Sequence, residues 1–182
     1  MNLAPPGAKT GQAAFTLLEL LAVIALIALL GGILLGAGKH AVEAGRSARA
    51  RAELAILAVA LENYQRAFGD YPQTDDAAQL LQSLIGRRGP RNTISEARVQ
   101  IDLARLTTAN ALDPFADLAA VLVDPWGRPY RYVYKVPPNA WSNASYVLYS
   151  TGPDGLDAGA LLAGGFVDQS APPNADNIYA SH

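Results

Sequence analysis

Residues 15–38 read FTLLELLAVIALIALLGGILLGAG, an apolar run broken by one charge, Glu19, and one hydroxyl, Thr16. Wound as an α-helix, this run is about 36 Å long, more than the roughly 30 Å of a bilayer's hydrocarbon core. A cleaved secretory signal has an apolar stretch of only about 7–15 residues and a buried core helix one of about 10–14, and this run is too long for either. The run therefore predicts a single membrane-spanning helix. Glu19 is its anomaly, because an ionised carboxylate in lipid costs about 3 kcal/mol unless it pairs or faces protein. The nearest cations in sequence, Lys9 and Lys39, lie beyond the two ends of the run. Glu19 either sits at the headgroups or finds its partner outside its own helix. Gly31, Gly32, Gly36 and Gly38 cluster at the far end and weaken helix there by about 1 kcal/mol each, so local melting in an assembled state is a further expectation.

Beyond Lys39, Leu54, Leu57, Leu61, Tyr64 and Phe68 recur at spacings of three and four, which places them on one helical face. Glu62 and Arg66 have the spacing of a supporting ion pair, and Gly69 then Pro72 end the helix. Arg46, Arg49 and Arg51 make a basic collar facing headgroups, a neighbouring acid or plain solvent. Thr74-Asp75-Asp76 before Leu80, Leu81, Leu84 and Ile85, with Gly86 after, predicts a short capped helix. Residues 87–91 read as a loop, and 95–106 as a second short helix with Val99, Leu103 and Leu106 inward. Asp124-Pro125-Trp126-Gly127 is a turn. Tyr130, Tyr132 and Tyr134 alternate with Arg131, Val133 and Lys135 as a half-buried strand, and 145–150 (SYVLYS) is its hairpin partner.

The whole is thus α+β, one long N-terminal helix with a membrane-spanning half and an amphipathic half, packed on a small antiparallel sheet. The chain has 182 residues, of which those after the apolar run suit one small domain. With 14 Lys plus Arg against 16 Asp plus Glu, the net charge of -2 carries no nucleic-acid signature. Tyrosines interleaved with Arg and Lys in the hairpin suit a core better than a base-stacking platform. The sequence holds no cysteine, which excludes disulfides, thiolate metal sites and a cysteine nucleophile. Its two histidines, His40 and His182, lie far apart. No nucleophile, base and metal cluster is legible, so no enzyme is expected.

Phe15-Thr16-Leu17-Leu18-Glu19-Leu20-Leu21 resembles the prepilin signature shared by type IV pilins and type II secretion pseudopilins. The resemblance implies a leader over 1–14, cut between Ala14 and Phe15 by a membrane prepilin peptidase that also methylates the new amine of Phe15. Ala14 stands where the family usually has Gly. It further implies that Glu19 is the retained assembly acid, neutralised by the Phe15 ammonium of an incoming subunit. An intramembrane ion pair of that kind specifies register. Lys9 alone precedes the run whereas Lys39, Arg46, Arg49 and Arg51 follow it, a bias that by itself puts the C-terminal part in the cytoplasm. The resemblance implies the reverse, a single-pass protein of the bacterial inner membrane with its 39–182 domain in the periplasm.

Asp124-Pro125-Trp126-Gly127-x-Pro129-Tyr130, followed by Leu148-Tyr149-Ser150-x-Gly152-x-Asp154-Gly155, resembles more narrowly the major pseudopilin of type II secretion. In that family the loop after the strands binds calcium through acidic side chains and backbone carbonyls. Thr151 and Asp154 match those positions, Asp176 resembles the second acidic cluster, and Asp157 is a further candidate ligand. Calcium needs about six to eight oxygens, so several groups must gather. The layout implied is a pilin-like fold: helix 15–38 in the fibre core, helix to about 68, a variable helical region 74–123, hairpin 128–150 and an acidic loop 151–182. The implied function is a structural subunit of a type II secretion pseudopilus. It would be polymerised with itself and other pseudopilins by an inner-membrane assembly platform, in contact with lipid. A type IV pilin or minor pilin for adhesion, motility or DNA uptake, and a membrane-tethered binding domain, are the alternatives.

Overall fold

A computed structural model describes residues 16–110, 113–135, 142–143, 145–159 and 161–180, without the side chains of 33–37. The chain divides into two units, one up to Val42 and one from Glu43. Helix α1 covers Leu17–Phe68. Thr16 starts it: its Oγ1 accepts the Glu19 N–H at 3.2 Å, and its carbonyl accepts from Glu19 and Leu20. This is the N-cap geometry of a Thr-x-x-Glu sequence. Up to Gly32 the helix carries large apolar side chains exposed on every side, from Leu17 (80%) and Leu18 (81%) through Ile27 and Leu30. Among the described residues, no helix is long and apolar enough to cross a membrane; the side chains of 33–37, inside the apolar run, are not among them. The backbone stays helical through Gly31, Gly32 and Gly38.

From Ala50 onward α1 is amphipathic. Leu54, Leu57, Leu61 and Tyr64 are buried, and each such burial is worth about 2 kcal/mol. α1 ends where Gly69 adopts φ +82, the left-handed terminus that glycine tolerates. The expected Glu62–Arg66 pair does not form among the described residues. Past the Gly69 turn, the Tyr71 hydroxyl donates to Glu62 at 2.8 Å, and Arg66 turns to Asn63.

Helix α2, Ala77–Leu84, is capped by Asp76, whose carboxylate accepts the Gln79 N–H at 2.8 Å. Its Leu80, Leu81 and Leu84 join the core under α1. The second helix expected over 95–106 is absent; only Leu103–Arg105 make a 3-10 turn. The reason is where the backbone donors go. The N–H groups of Ser95, Ala97 and Gln100 donate to the carbonyls of Arg87, Gly86 and Leu84, so this segment folds back along the end of α2. Gly86 (φ +83) permits the return, since a Cβ there would lie 2.2 Å from the Ala97 carbonyl oxygen.

Among the described residues, three small antiparallel sheets complete the second unit. β1 (Thr107–Ala109) pairs with β2 (Val121–Val123). β3 (Arg131–Tyr134) pairs with β4 (Tyr146–Ser150), Arg131 opposite Tyr149 and Tyr134 opposite Tyr146, and β4 pairs with β7 (Ile178–Tyr179). β5 (Leu161–Leu162) and β6 (Phe166–Val167) form a hairpin inside the tail that sequence patterning does not reveal. Tyr130 and Tyr132 point inward, while Arg131 stays exposed. One core unites α1, α2, β2, β3 and β4 through Leu57, Leu84, Leu122, Tyr132 and Leu148.

Candidate functional site

Two places among the described residues carry chemistry beyond packing. The first is the start of α1. Ala14 and Phe15 lie outside the described residues. Glu19 is exposed in the first turn, and among the described residues no cation pairs with it. Its backbone N–H rests on the Thr16 hydroxyl, so the local sequence sets where helix begins while leaving the carboxylate without a local cation.

The second is the loop after β4 and its partner segment before β7. Asp124 anchors the Asp124-Pro125-Trp126-Gly127 turn. It is 2% exposed; Oδ1 accepts the N–H groups of Trp126 and Arg128 at 3.0 and 2.9 Å, and Oδ2 accepts the Ser150 hydroxyl at 2.6 Å. Ser150 in turn accepts the Gly152 N–H. The turn and the loop are therefore joined at their roots by a buried carboxylate with its acceptors filled. Trp126 donates its indole N–H to Glu43 of α1 at 2.6 Å.

Within the loop, Gly152 (φ +63) presses on the second segment: a Cβ there would lie 2.2 Å from the Asp176 carbonyl oxygen. Asp176 Oδ2 accepts the Asp154 N–H at 2.9 Å, whereas Asp176 Oδ1 and the Thr151 hydroxyl are buried with no partner among the described residues. Asp154 is exposed and accepts the Leu156 N–H at 2.7 Å. Asp157 faces elsewhere, accepting from the Tyr149 hydroxyl at 2.8 Å and lying 3.6 Å from Arg131. Burial, then Asp157, pushes the Tyr149 hydroxyl well above its usual pKa.

Asn177, which sequence reasoning passed over as a ligand, has an excess of acceptors around it. Its Nδ2 donates to Asn174 Oδ1 and to the Tyr179 hydroxyl, both at 3.2 Å. Its Oδ1 then faces the carbonyls of Leu156 and Thr151 at 3.2 and 3.3 Å. Rotating the amide to donate to those carbonyls sets Asn177 Oδ1 against Asn174 Oδ1. Asn174 cannot turn to relieve this, because its Oδ1 accepts the Ala158 N–H at 2.9 Å and its Nδ2 donates to Asp168 O at 2.8 Å. Rotated, the amide donates to both carbonyls and accepts the Tyr179 hydroxyl at 3.2 Å, so the contact with Asn174 Oδ1 alone stays unrelieved, and the orphaned oxygens of this loop are Thr151 Oγ1 and Asp176 Oδ1 among the described residues. Among the described residues, no three Asp, Glu or His side chains gather as a metal cluster. The groups on offer are all oxygen, the Thr151 hydroxyl, the Asp176 carboxylate and the loop carbonyls, a donor set that suits a hard cation such as calcium and no soft one. The signal available in sequence was the Asn174-Ala175-Asp176-Asn177 run itself, but only the fold shows that Asn177 meets Thr151 and Leu156.

The basic collar is partly committed. Arg49 donates from Nε to Glu53 at 2.6 Å and from Nη2 to the Thr107 hydroxyl at 2.7 Å; Glu53, 2% exposed, also accepts the Tyr130 hydroxyl at 2.6 Å. Arg46 lies 3.9 Å from Glu43, and Arg51 is exposed.

Comparison with known proteins finds two family matches. Residues 39–164 match the family described as type II secretion system (T2SS), protein G. Residues 9–35 match the prokaryotic N-terminal methylation motif. The chain is similar to the type II secretion system core protein G of Pseudomonas aeruginosa, 24% identical over 150 residues that cover 82% of this chain and 89% of that protein. No solved structure matches.

Proposed function

We propose, because this chain belongs to the type II secretion system protein G family, that it is inserted in the inner membrane by helix 15–38 and drawn from there into a periplasmic pseudopilus. Its role is that of a pseudopilin, a structural subunit of type II secretion that assembles with other pseudopilins and the secretion machinery. Processing by a prepilin peptidase follows from the methylation motif at residues 9–35. In this reading the cut falls between Ala14 and Phe15, and Thr16 becomes the second residue of the mature chain and the start of its helix.

The observation that carries the reading is the all-round apolar start of α1 with a lone Glu19 in its first turn. A helix apolar on every face is stable only in lipid or among other helices. An acid in that setting needs a counter-charge, and the ammonium of another subunit's Phe15 supplies one of the right sign. The pair then forms only between subunits in register. Glu19→Ala discriminates assembly from mere anchoring. The variant should be processed and inserted like the parent, with intact mass matching a chain that starts at methylated Phe15, yet cross-linked polymers in membranes should fall at least tenfold. A variant that polymerises normally, or a parent chain that still begins at Met1 in cells with active peptidase, refutes the reading.

We also propose that calcium occupies the loop between β4 and β7. The oxygens of Thr151 and Asp176 that have no partner among the described residues fit a hard cation, with the Thr151 and Leu156 carbonyls as further donors. Asp154 is a candidate through its exposed carboxylate, and Asp157 is the weaker one because Tyr149 and Arg131 already engage it. Bound there, the ion would tie the 151–156 loop to the segment before β7.

A further inference from the structure

The loop after β4 contains two kinds of carbonyl. Thr151 and Leu156 present theirs toward the Asn177 amide, whereas Gly152 and Pro153 present theirs to a guanidinium. That guanidinium belongs to Arg128, which donates from Nη1 to Gly152 O at 2.5 Å and from both Nη1 and Nη2 to Pro153 O at 3.4 and 3.3 Å. The side chain lies across Gly155 so closely that a Cβ there would be 2.3 Å from Cζ. Gly155 has φ +72, so glycine serves both the turn and the space that Arg128 fills.

The base of Arg128 is equally fixed. Its N–H donates to Asp124, the carboxylate that also holds Ser150 at the root of the loop. The fork thus springs from a rigid turn and grips the loop from outside. A six-residue loop with two left-handed glycines has many backbone states open to it, and choosing one costs conformational entropy. The fork selects the state in which the Gly152 and Pro153 carbonyls point out toward Arg128, and the Thr151 and Leu156 carbonyls point at Asn177.

We infer that Arg128 is a positioning residue for cation binding, holding the 151–156 loop in its ligating shape before the ion arrives. The inference rests on the proposal that calcium binds this loop. It runs against the simple charge expectation, in which a nearby guanidinium repels a divalent ion and its removal tightens binding. Preorganisation by an outer partner of a metal site is worth about 10- to 100-fold in affinity, enough to decide the sign.

The test titrates calcium chloride into the full chain in detergent, by calorimetry and by the calcium-induced rise in thermal midpoint. Three chains are compared: the parent, Arg128→Gln and Arg128→Lys. Arg128→Gln should bind calcium at least tenfold more weakly. Arg128→Lys keeps the charge but cannot span two carbonyls, so it should fall between the two. A purely structural role would lower the metal-free midpoint of the variants and leave the affinity unchanged, which overturns the inference. Tighter binding by Arg128→Gln overturns it in favour of repulsion. A parent chain without any calcium response removes the calcium proposal and this inference with it. Should Arg128→Gln not fold, unchanged affinity in Arg128→Lys is the overturning result.

Discussion

Replacing Tyr130 by Phe removes one oxygen and tests a charge buried in the second unit. Glu53 is 2% exposed, its side chain 3%, and its two carboxylate oxygens are held by Arg49 Nε and the Tyr130 hydroxyl, both at 2.6 Å. Arg49 itself is 55% exposed and anchored on Thr107, so the tyrosine is the inner donor. Burial first, then the Glu53 carboxylate, drives the Tyr130 hydroxyl far above its ordinary pKa, so it remains a donor across any practical pH. Phe at this position keeps the ring packing and leaves Oε2 buried without a donor. Hydrogen bonds to charged groups contribute about 1.5–3 kcal/mol, so the expected loss is about 2 kcal/mol. For a domain of this size that corresponds to a fall of about 6 °C in thermal midpoint, at about 3 °C per kcal/mol. The assay is thermal and urea denaturation of the full chain in detergent, for Tyr130→Phe, Glu53→Gln and the double variant. Glu53→Gln lowers the charge that needs the donor, so the double variant should lose less than the sum, with a coupling of about 1 kcal/mol or more. A midpoint change below about 1 °C for Tyr130→Phe, or strict additivity, would show that Glu53 does not depend on this bond and refute the reasoning.

Three further outcomes follow from the same structure. Removing calcium from the full chain with a chelator should lower its thermal midpoint, and restoring it should raise the midpoint by several degrees; for scale, ligand at about a hundredfold excess over Kd stabilises by about 2.7 kcal/mol. No response at millimolar calcium removes the cation proposal. Gly86→Ala should destabilise by about 2 kcal/mol or more in urea denaturation, because φ +83 and a Cβ 2.2 Å from the Ala97 carbonyl oxygen both penalise it; Gly69→Ala, with open space around it, should cost only the conformational penalty of about 1–2 kcal/mol. Stability should also fall in alkali. Burial, assisted at Tyr71 and Tyr134 by Glu62 and Asp70, pushes the hydroxyls of Tyr64, Tyr71 and Tyr134 up to about 12. The unfolded chain ionises first as pH passes about 10, so this stability is full below about pH 10 and is lost as pH rises through about 12. Tyrosine absorbance and circular dichroism should change together in that window, and tyrosine titration near pH 10 with the fold intact would contradict it.

Features made by neighbours in sequence were legible in the chain itself. The apolar run, the Leu54-to-Tyr64 stripe, the Asp76 cap and the Tyr130–Tyr134 alternation depend on helix or strand period and on local hydrogen bonds, which a linear chain displays directly. So were the motifs that mark the family. The tertiary structure alone decided what pairs across distance. Nothing local says that Glu53 accepts Tyr130, that Trp126 reaches Glu43, that Arg128 grips Gly152, or that Asn177 meets the Leu156 carbonyl. It also overrode the helical spacing of 95–106, because N–H groups of that segment donate to carbonyls at and just past the end of α2 instead of to its own. The physical reason is common to all of these: a side chain or peptide group bonds to whatever the folded chain brings within about 3 Å, and that choice is made by packing, not by order along the sequence.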